Sequence, residues 1–248
     1  MHKLKDRTLI ITGASMGVGR ALALGLAREG VHLVLNARSS ELLEEAREEC
    51  LGHGARASCA AGDIAEPGTV SRCITKAREL GNIYGFIHNA GALMPGPLLW
   101  EMDEDAFSRV MDSHVKASHQ LIRQIVPLLL EQNQGMAVFL GSGAAERTQP
   151  GIGAYCAAKA AEELLARQLA AETSKIISLV FRPGIVDTRM QEQARTAQGG
   201  GAEHLHRVFR PWKERGELLT PEQSAESLIR LLNQDPWSLH GKTFRAGE

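Results

Sequence analysis

The chain has 248 residues, 44% of them hydrophobic, 23% charged and 4% aromatic, with a formal net charge of −1. That length can bury one sizeable core. The balanced charge and scarce aromatics exclude the electrostatic and stacking footprint of a nucleic-acid or anionic-membrane binder.

The N-terminus, MHKLKDRTLIITG, passes from charge into a short apolar strand with no leader-like apolar region. No apolar run reaches the roughly 18 residues of a membrane span, so a cytoplasmic chain with no membrane partner is expected. Thr8 to Ile11 reads as a strand and Val18 to Glu29 as a helix. Val31 to Ala37 is nearly continuous in apolar residues, which suits a parallel strand buried on both faces. Ser39 or Ser40 caps a charged helix running to Cys50, ended by Gly52 and Gly54. Ala55 to Ala60 is a weak strand, and a helix follows Pro67. Tyr84 to His88 is the fourth strand, a long helix runs from about Asp103 to Leu130, and Ala137 to Leu140 is the fifth strand. Tyr155 to Glu172 is helical, Ile176 to Phe181 is a sixth strand, Pro221 to Leu232 is a helix, and a short strand lies near Thr243-Phe244. Such alternation predicts an α/β fold, a doubly wound parallel sheet flanked by helices in one domain spanning 1–248.

Residues 188–216 break the rhythm. Gly199-Gly200-Gly201, Phe209 and Trp212 sit there without clear periodicity, as in a loose surface loop or a substrate lid; the lid is the expectation. The cysteines Cys50, Cys59, Cys73 and Cys156 lack paired spacing, so free thiols are expected. Histidine spacing offers no two ligands on one helical face, so no metal is expected.

The turn Thr12-Gly13-Ala14-Ser15-Met16-Gly17-Val18-Gly19 lies between the first strand and first helix. Gly13, Gly17 and Gly19 let the backbone approach a pyrophosphate held at the helix N-terminus. The second strand ends Asn36-Ala37-Arg38. No acid stands there for ribose hydroxyls, and Arg38 offers a bidentate phosphate partner, so NADP(H) is expected over NAD(H). Asp63, in Gly62-Asp63-Ile64, reads either as an adenine partner or as a turn aspartate. In Asn89-Ala90-Gly91 small residues let the backbone pass close to a ligand.

Tyr155 and Lys159 are four residues apart and share a helical face. An ordinary tyrosine has a pKa of about 10, too high for a base near neutrality. A neighbouring ammonium and an oxidised nicotinamide ring are expected to lower it. Ser142, just past the fifth strand, is placed to hydrogen-bond a substrate oxygen. Gly141-Ser142-Gly143 lacks the elbow of a serine hydrolase. Met94, Pro95, Trp100, Thr148 and Gln149, with residues 188–216, are candidates for an apolar substrate pocket.

Taken in order, TGASMGVG (12–19), GD (62–63), NAG (89–91), Ser142, YCAAK (155–159) and PGIVDT (183–188) resemble the short-chain dehydrogenase/reductase family over essentially the whole chain. The resemblance implies a Rossmann-type sheet of seven strands in a homodimer or homotetramer. It implies that the stretch from Gly13 to Gly19, including Ser15, Met16 and Val18, holds the dinucleotide, with Asp63, Ile64, Asn89, Ala90 and Gly91. Pro183, Gly184, Val186 and Thr188 would border the nicotinamide. Tyr155 would exchange a proton with the carbonyl or alcohol substrate, Lys159 would bind the nicotinamide ribose and lower the tyrosine pKa, and Ser142 would orient the carbonyl. The family's fourth catalytic residue is an asparagine whose backbone carbonyl binds a relay water; His114 stands there, and the relay is expected to survive with an altered pH profile. The alternative reading is a dinucleotide-binding sensor or scaffold with little catalysis.

Overall fold

The computed structural model describes residues 3–247. In chain order its elements begin β1 (Thr8–Thr12), α1 (Gly17–Arg28), β2 (His32–Asn36), α2 (Ser40–Gly52), β3 (Ala57–Cys59), α3 (Pro67–Leu80) and β4 (Ile83–His88). Next come α4 (Glu104–Met111), a π turn (Asp112–Lys116), α5 (Ala117–Glu131), β5 (Met136–Leu140) and α6 (Gly153–Glu172). The chain ends with β6 (Ile177–Arg182), α7 (Arg189–Arg195), α8 (Ala202–Glu214), α9 (Pro221–Leu232), α10 (Pro236–Leu239) and β7 (Thr243–Arg245). The seven strands form one sheet in the order β3-β2-β1-β4-β5-β6-β7. All neighbours are parallel, giving the Rossmann-type arrangement.

Strand alternation divides the apolar residues between two cores. Leu9, Ile11, Leu33, Leu35, Val138 and Leu179 pack with Leu22 and Leu26 of α1 and Leu228 of α9. Their neighbours Ile10, Val34, Phe86, Phe139 and Val180 pack on the opposite face with Val70 of α3 and Leu121 and Ile125 of α5. Each such fully buried side chain contributes about 1.5–3 kcal/mol against exposure. Local signals set the helix starts: Ser39 Oγ accepts from the Leu42 amide, and Thr220 with Gln223 forms a capping box ahead of Pro221. Strand order reverses between β1 and β4, which opens a crevice at their carboxyl ends. No helix among the described residues is long and apolar enough to cross a membrane.

The structure departs from sequence expectation in three places. The helix expected over about 103–130 is interrupted by the π turn that carries His114. Residues 188–216 are largely helical rather than irregular, as α7 and α8. Their signal was faint because α8 buries little beyond Leu205, with Phe209 partly covered, while charged residues fill the rest. The glycines there mark close approach rather than looseness: Gly201 N donates to Gly96 O at 2.8 Å, and Gly96 N donates to Gly151 O at 2.8 Å. A Cβ on Gly201 would lie 2.4 Å from Gly151 Cα. Third, α10 has no counterpart in the expected elements.

Candidate active site

The parallel strands carry the glycine turn, Arg38, Asp63, Asn89, Ser142 and Pro183 to their shared carboxyl-end side of the sheet. β1 delivers the glycine turn. Gly13 has φ +65° and Gly17 φ +55°, the left-handed region that favours glycine. A Cβ on Gly19 would sit 2.2 Å from Gly13 O, and one on Gly13 would sit 2.7 Å from Asn89 Nδ2. Asn89 holds the turn by donating to Thr12 O at 3.1 Å and Gly13 O at 3.0 Å. Ser15 and Val18 are buried, whereas Met16, the N-cap of α1, is exposed and supplies no side-chain cap. The first amides of α1 therefore lack a side-chain acceptor, the donor set an anionic pyrophosphate fits. Thr188, at the N-cap of α7, lies against this turn: a Cβ on Gly17 would meet its Cγ2 at 3.4 Å.

Arg38, past the end of β2, is exposed and makes no ion pair among the described residues. Asp63 is exposed beside buried Ile64, and its Oδ1 accepts from the Ala65 amide at 2.9 Å, a turn contact that leaves Oδ2 open. Ala90 N donates to Thr12 Oγ1 at 3.0 Å. On the far side, Pro183 O accepts from Ser224 Oγ at 2.8 Å, Gly184 has φ +82°, and Val186 bridges to Leu219. The glycine cradle and the uncapped helix start together fit the pyrophosphate of a nicotinamide dinucleotide.

Tyr155 and Lys159 both come from α6 and are buried, with 8% and 4% of their surface exposed, so neither is a solvated helix residue. Lys159 Nζ lies 6.0 Å from the Tyr155 ring centroid. It donates to Leu140 O at 2.6 Å and to Glu162 Oε2 at 2.9 Å. Burial pushes the Tyr155 phenol above its usual pKa, against the opposing pull of Lys159 and Ser142. The expected depression is therefore not a property of the chain's own groups, because desolvation outweighs a single ammonium that Glu162 partly neutralises. Burial opposes the charge on Lys159, but the Glu162 carboxylate and Tyr155 outweigh it and raise its pKa overall.

Ser142 caps a short 3-10 turn at Gly143–Glu146, its Oγ accepting from the Ala144 amide at 3.1 Å. Its own amide donates to Glu163 Oε1 at 3.1 Å. Arg182 grips that buried carboxylate with two bonds, Nε to Oε1 at 2.9 Å and Nη2 to Oε2 at 2.7 Å. Gly141 leaves room for this: a Cβ there would lie 2.3 Å from Glu163 Oε1.

His114 is completely buried in the π turn, a rare geometry that clusters at functional sites. Its ring stands edge-on to Tyr155 with centroids 5.3 Å apart, and Nδ1 donates to Glu162 Oε2 at 2.9 Å. The Ala92 amide donates to His114 Nε2 at 3.2 Å, and the Ala92 carbonyl lies 3.0 Å from the same nitrogen. Burial, then Lys159, hold its pKa below the usual histidine value. The His114 carbonyl, the expected anchor for a relay water, accepts from Ser118 Oγ at 2.6 Å. Gly91 accommodates the imidazole, since a Cβ at 91 would meet Cε1 at 2.2 Å.

Sequence reasoning missed Thr12, His88, Glu162, Glu163 and Arg182. Thr12 Oγ1 accepts from the Asn89 and Ala90 amides at 3.0 Å each, so its hydrogen is free for His88 Nδ1 at 2.9 Å. Burial drives the His88 pKa down to about 4. The unfolded chain thus binds more protons between about pH 4 and 6.5, and stability is full above that window and falls as pH drops through it. Melting curves should show this loss, and His88→Asn, whose Oδ1 can take the Thr12 hydroxyl without titrating, should reduce the slope. An unchanged slope would place the acid sensitivity elsewhere.

Of the suggested pocket residues, Met94 packs on the cluster formed by Leu93, Ile152, Tyr155 and Leu205, whereas Trp100 is 82% exposed and does not line an enclosed pocket in this structure.

The family model described as short chain dehydrogenase matches residues 7–199. An uncharacterized oxidoreductase of Schizosaccharomyces pombe is 30% identical over 242 residues, covering 95% of each chain. The NADPH-dependent pterin aldehyde reductase of Arabidopsis thaliana is 32% identical over 188 residues, covering 74% of this chain and 76% of the relative. The crystal structure of the KRED1-Pglu enzyme is similar with a TM-score of 0.85 and 29% identity, covering 96% of this chain and 99% of that one.

Proposed function

Because the chain belongs to the short-chain dehydrogenase family of oxidoreductases, we propose that it interconverts a small-molecule carbonyl and its alcohol with NADP(H), Tyr155 exchanging the proton with the substrate oxygen. The observation that carries this reading is Tyr155 flanked by Lys159 and Ser142 on the side of the sheet, at the carboxyl ends of the strands, that also bears the glycine turn. The dinucleotide, when bound, supplies or accepts the hydride at its nicotinamide ring.

The chain's own groups handle orientation and the proton. Ser142, fixed through its amide by Glu163, turns its hydroxyl toward the substrate oxygen. Tyr155 holds the proton at Oη, and Lys159 stabilises the phenolate left when that proton is given up. A phenol kept protonated by burial suits donation, which favours carbonyl reduction at neutral pH. Residues 188–216 cover the substrate as a lid. The exposed Leu99, Trp100, Phe107 and Leu164 support a homodimer or homotetramer that covers them.

Arg38 supports NADP(H) over NAD(H), since a charge-assisted phosphate contact is worth about tenfold or more in affinity. The NADPH dependence named for the Arabidopsis relative points the same way. Dissociation constants for NADPH and NADH, with consumption measured over a panel of aldehydes and ketones, test the reading. Tighter NADPH and turnover of at least one carbonyl are expected. Equal or tighter NADH contradicts the cofactor, and binding without consumption of any carbonyl favours a sensor.

A further inference from the structure

Behind Tyr155 lies a buried ionic cluster that the proposed reaction has not yet used. Glu162 is 0% exposed and sits one turn beyond Lys159 on α6. One oxygen, Oε2, takes hydrogen bonds from both Lys159 Nζ and His114 Nδ1, each at 2.9 Å. The other oxygen, Oε1, is buried with no hydrogen-bond partner among the described residues. Because His88 Nδ1 receives the Thr12 hydroxyl, its Nε2 carries the hydrogen, in the field of Glu162 and beside the His114 backbone.

Burying a carboxylate costs free energy unless it is fully paired, and a pair kept only for stability is expected to satisfy both oxygens. Glu163, the next residue, shows that pattern: both of its oxygens are bonded to Arg182. Glu162 instead spends one oxygen on the two side chains that touch Tyr155 and leaves the second open. Its neighbours are Tyr155 and Lys159 of α6, His114 of the π turn and His88 of β4, with Glu163 adding to the field at Lys159.

We propose that Glu162 is a positioning residue of this site: through Oε2 it fixes the Lys159 ammonium and the His114 ring together, and its negative charge, set against that of Lys159, determines the pH at which Tyr155 gives up its proton. The inference rests on Tyr155 being the proton-exchanging group. Glu162 limits how far Lys159 can favour the phenolate, which keeps the phenol protonated for donation. The same oxygen draws the His114 hydrogen to Nδ1, and Nε2 then accepts from the Ala92 amide at 3.2 Å, with the Ala92 carbonyl 3.0 Å away competing for a hydrogen on Nε2. The burial that lowers the His114 pKa keeps the ring neutral, and Lys159 and His114 bring Glu162 down to about 2 despite its own burial.

The test is the pH profile of kcat/KM for alcohol oxidation in wild type and Glu162→Gln, alongside Tyr155→Phe. Glutamine keeps an acceptor oxygen and removes the charge. The limb on which Tyr155 deprotonates should move down by roughly one pH unit, as loss of a neighbouring like charge requires. An unmoved limb, whatever happens to kcat, overturns the role of Glu162. If Tyr155→Phe stays active, the function reading itself fails, and the two failures are thereby distinct. Nitrogen-15 spectra of histidine-labelled wild type give a readout free of activity and of the variant's folding. His114 should hold the Nδ1–H tautomer between about pH 6 and 9. A proton on Nε2 instead overturns the proposal.

Discussion

Replacing Tyr155 by phenylalanine is expected to lower turnover by on the order of 10²-fold or more, while leaving the fold and NADPH affinity nearly unchanged. The ring stands edge-on to His114 within the buried cluster that includes Ile152 and Ala158, packing that phenylalanine keeps. Only the hydroxyl is lost, and with it the proposed proton donor to the substrate oxygen. Retained turnover would move the proton donor elsewhere. A parallel loss of NADPH binding would mean that the variant damages the site rather than the chemistry.

The second large effect concerns stability. Arg182→Met should destabilise the fold by about 3–5 kcal/mol, the cost of leaving a buried charge unpaired. Arg182 and Glu163 are 3% and 1% exposed, and Glu146 adds a third contact at 2.8 Å. Without the guanidinium, the partners left to Glu163 among the described residues are the Ser142 amide at 3.1 Å and a distant Arg167 at 4.0 Å. The double variant Arg182→Met/Glu163→Leu should recover much of the loss, though not the anchor of Ser142. Denaturant unfolding measures both. A single-variant effect below about 1 kcal/mol would show that water reaches the pair.

The glycine turn, Arg38 and the Tyr155–Lys159 pair were legible because their signals are local. A left-handed φ, the residue at a strand tip and an i, i+4 spacing need no knowledge of distant partners. Glu162 and Glu163 were not legible for the opposite reason. In the run AAEELLARQ they read as ordinary charges on a helix face. Their burial is imposed by His114, 48 residues away in sequence, and by Arg182, 19 away. The π turn was hidden likewise, since nothing in Asp112-Ser113-His114-Val115-Lys116 breaks a helical pattern. From sequence, His114 stands in place of the family's asparagine, with the relay on its backbone carbonyl expected to survive at an altered pH profile. The structure gives its side chain a hydrogen bond to Glu162 Oε2 and its carbonyl to Ser118.

Residues 188–216 show a weaker form of the same effect. Three consecutive glycines suggest a loose loop, but Gly199 and Gly201 are small because Gly96 and Gly151 pass against them. Glu101 Oε2 closes that junction by accepting from the Gly200 amide at 3.0 Å. Close approach and flexibility leave the same residue in the sequence.

The most direct measurement of the central claim follows the fate of the hydride and the proton together. Purified protein is given NADPH carrying deuterium at both C4 positions and a carbonyl that it consumes, and the product is analysed by mass spectrometry. Deuterium on the carbinol carbon, formed by wild type and suppressed at least about 10²-fold in Tyr155→Phe, is the predicted result. Absence of deuterium from the product, or its equal transfer by the phenylalanine variant, would contradict the account.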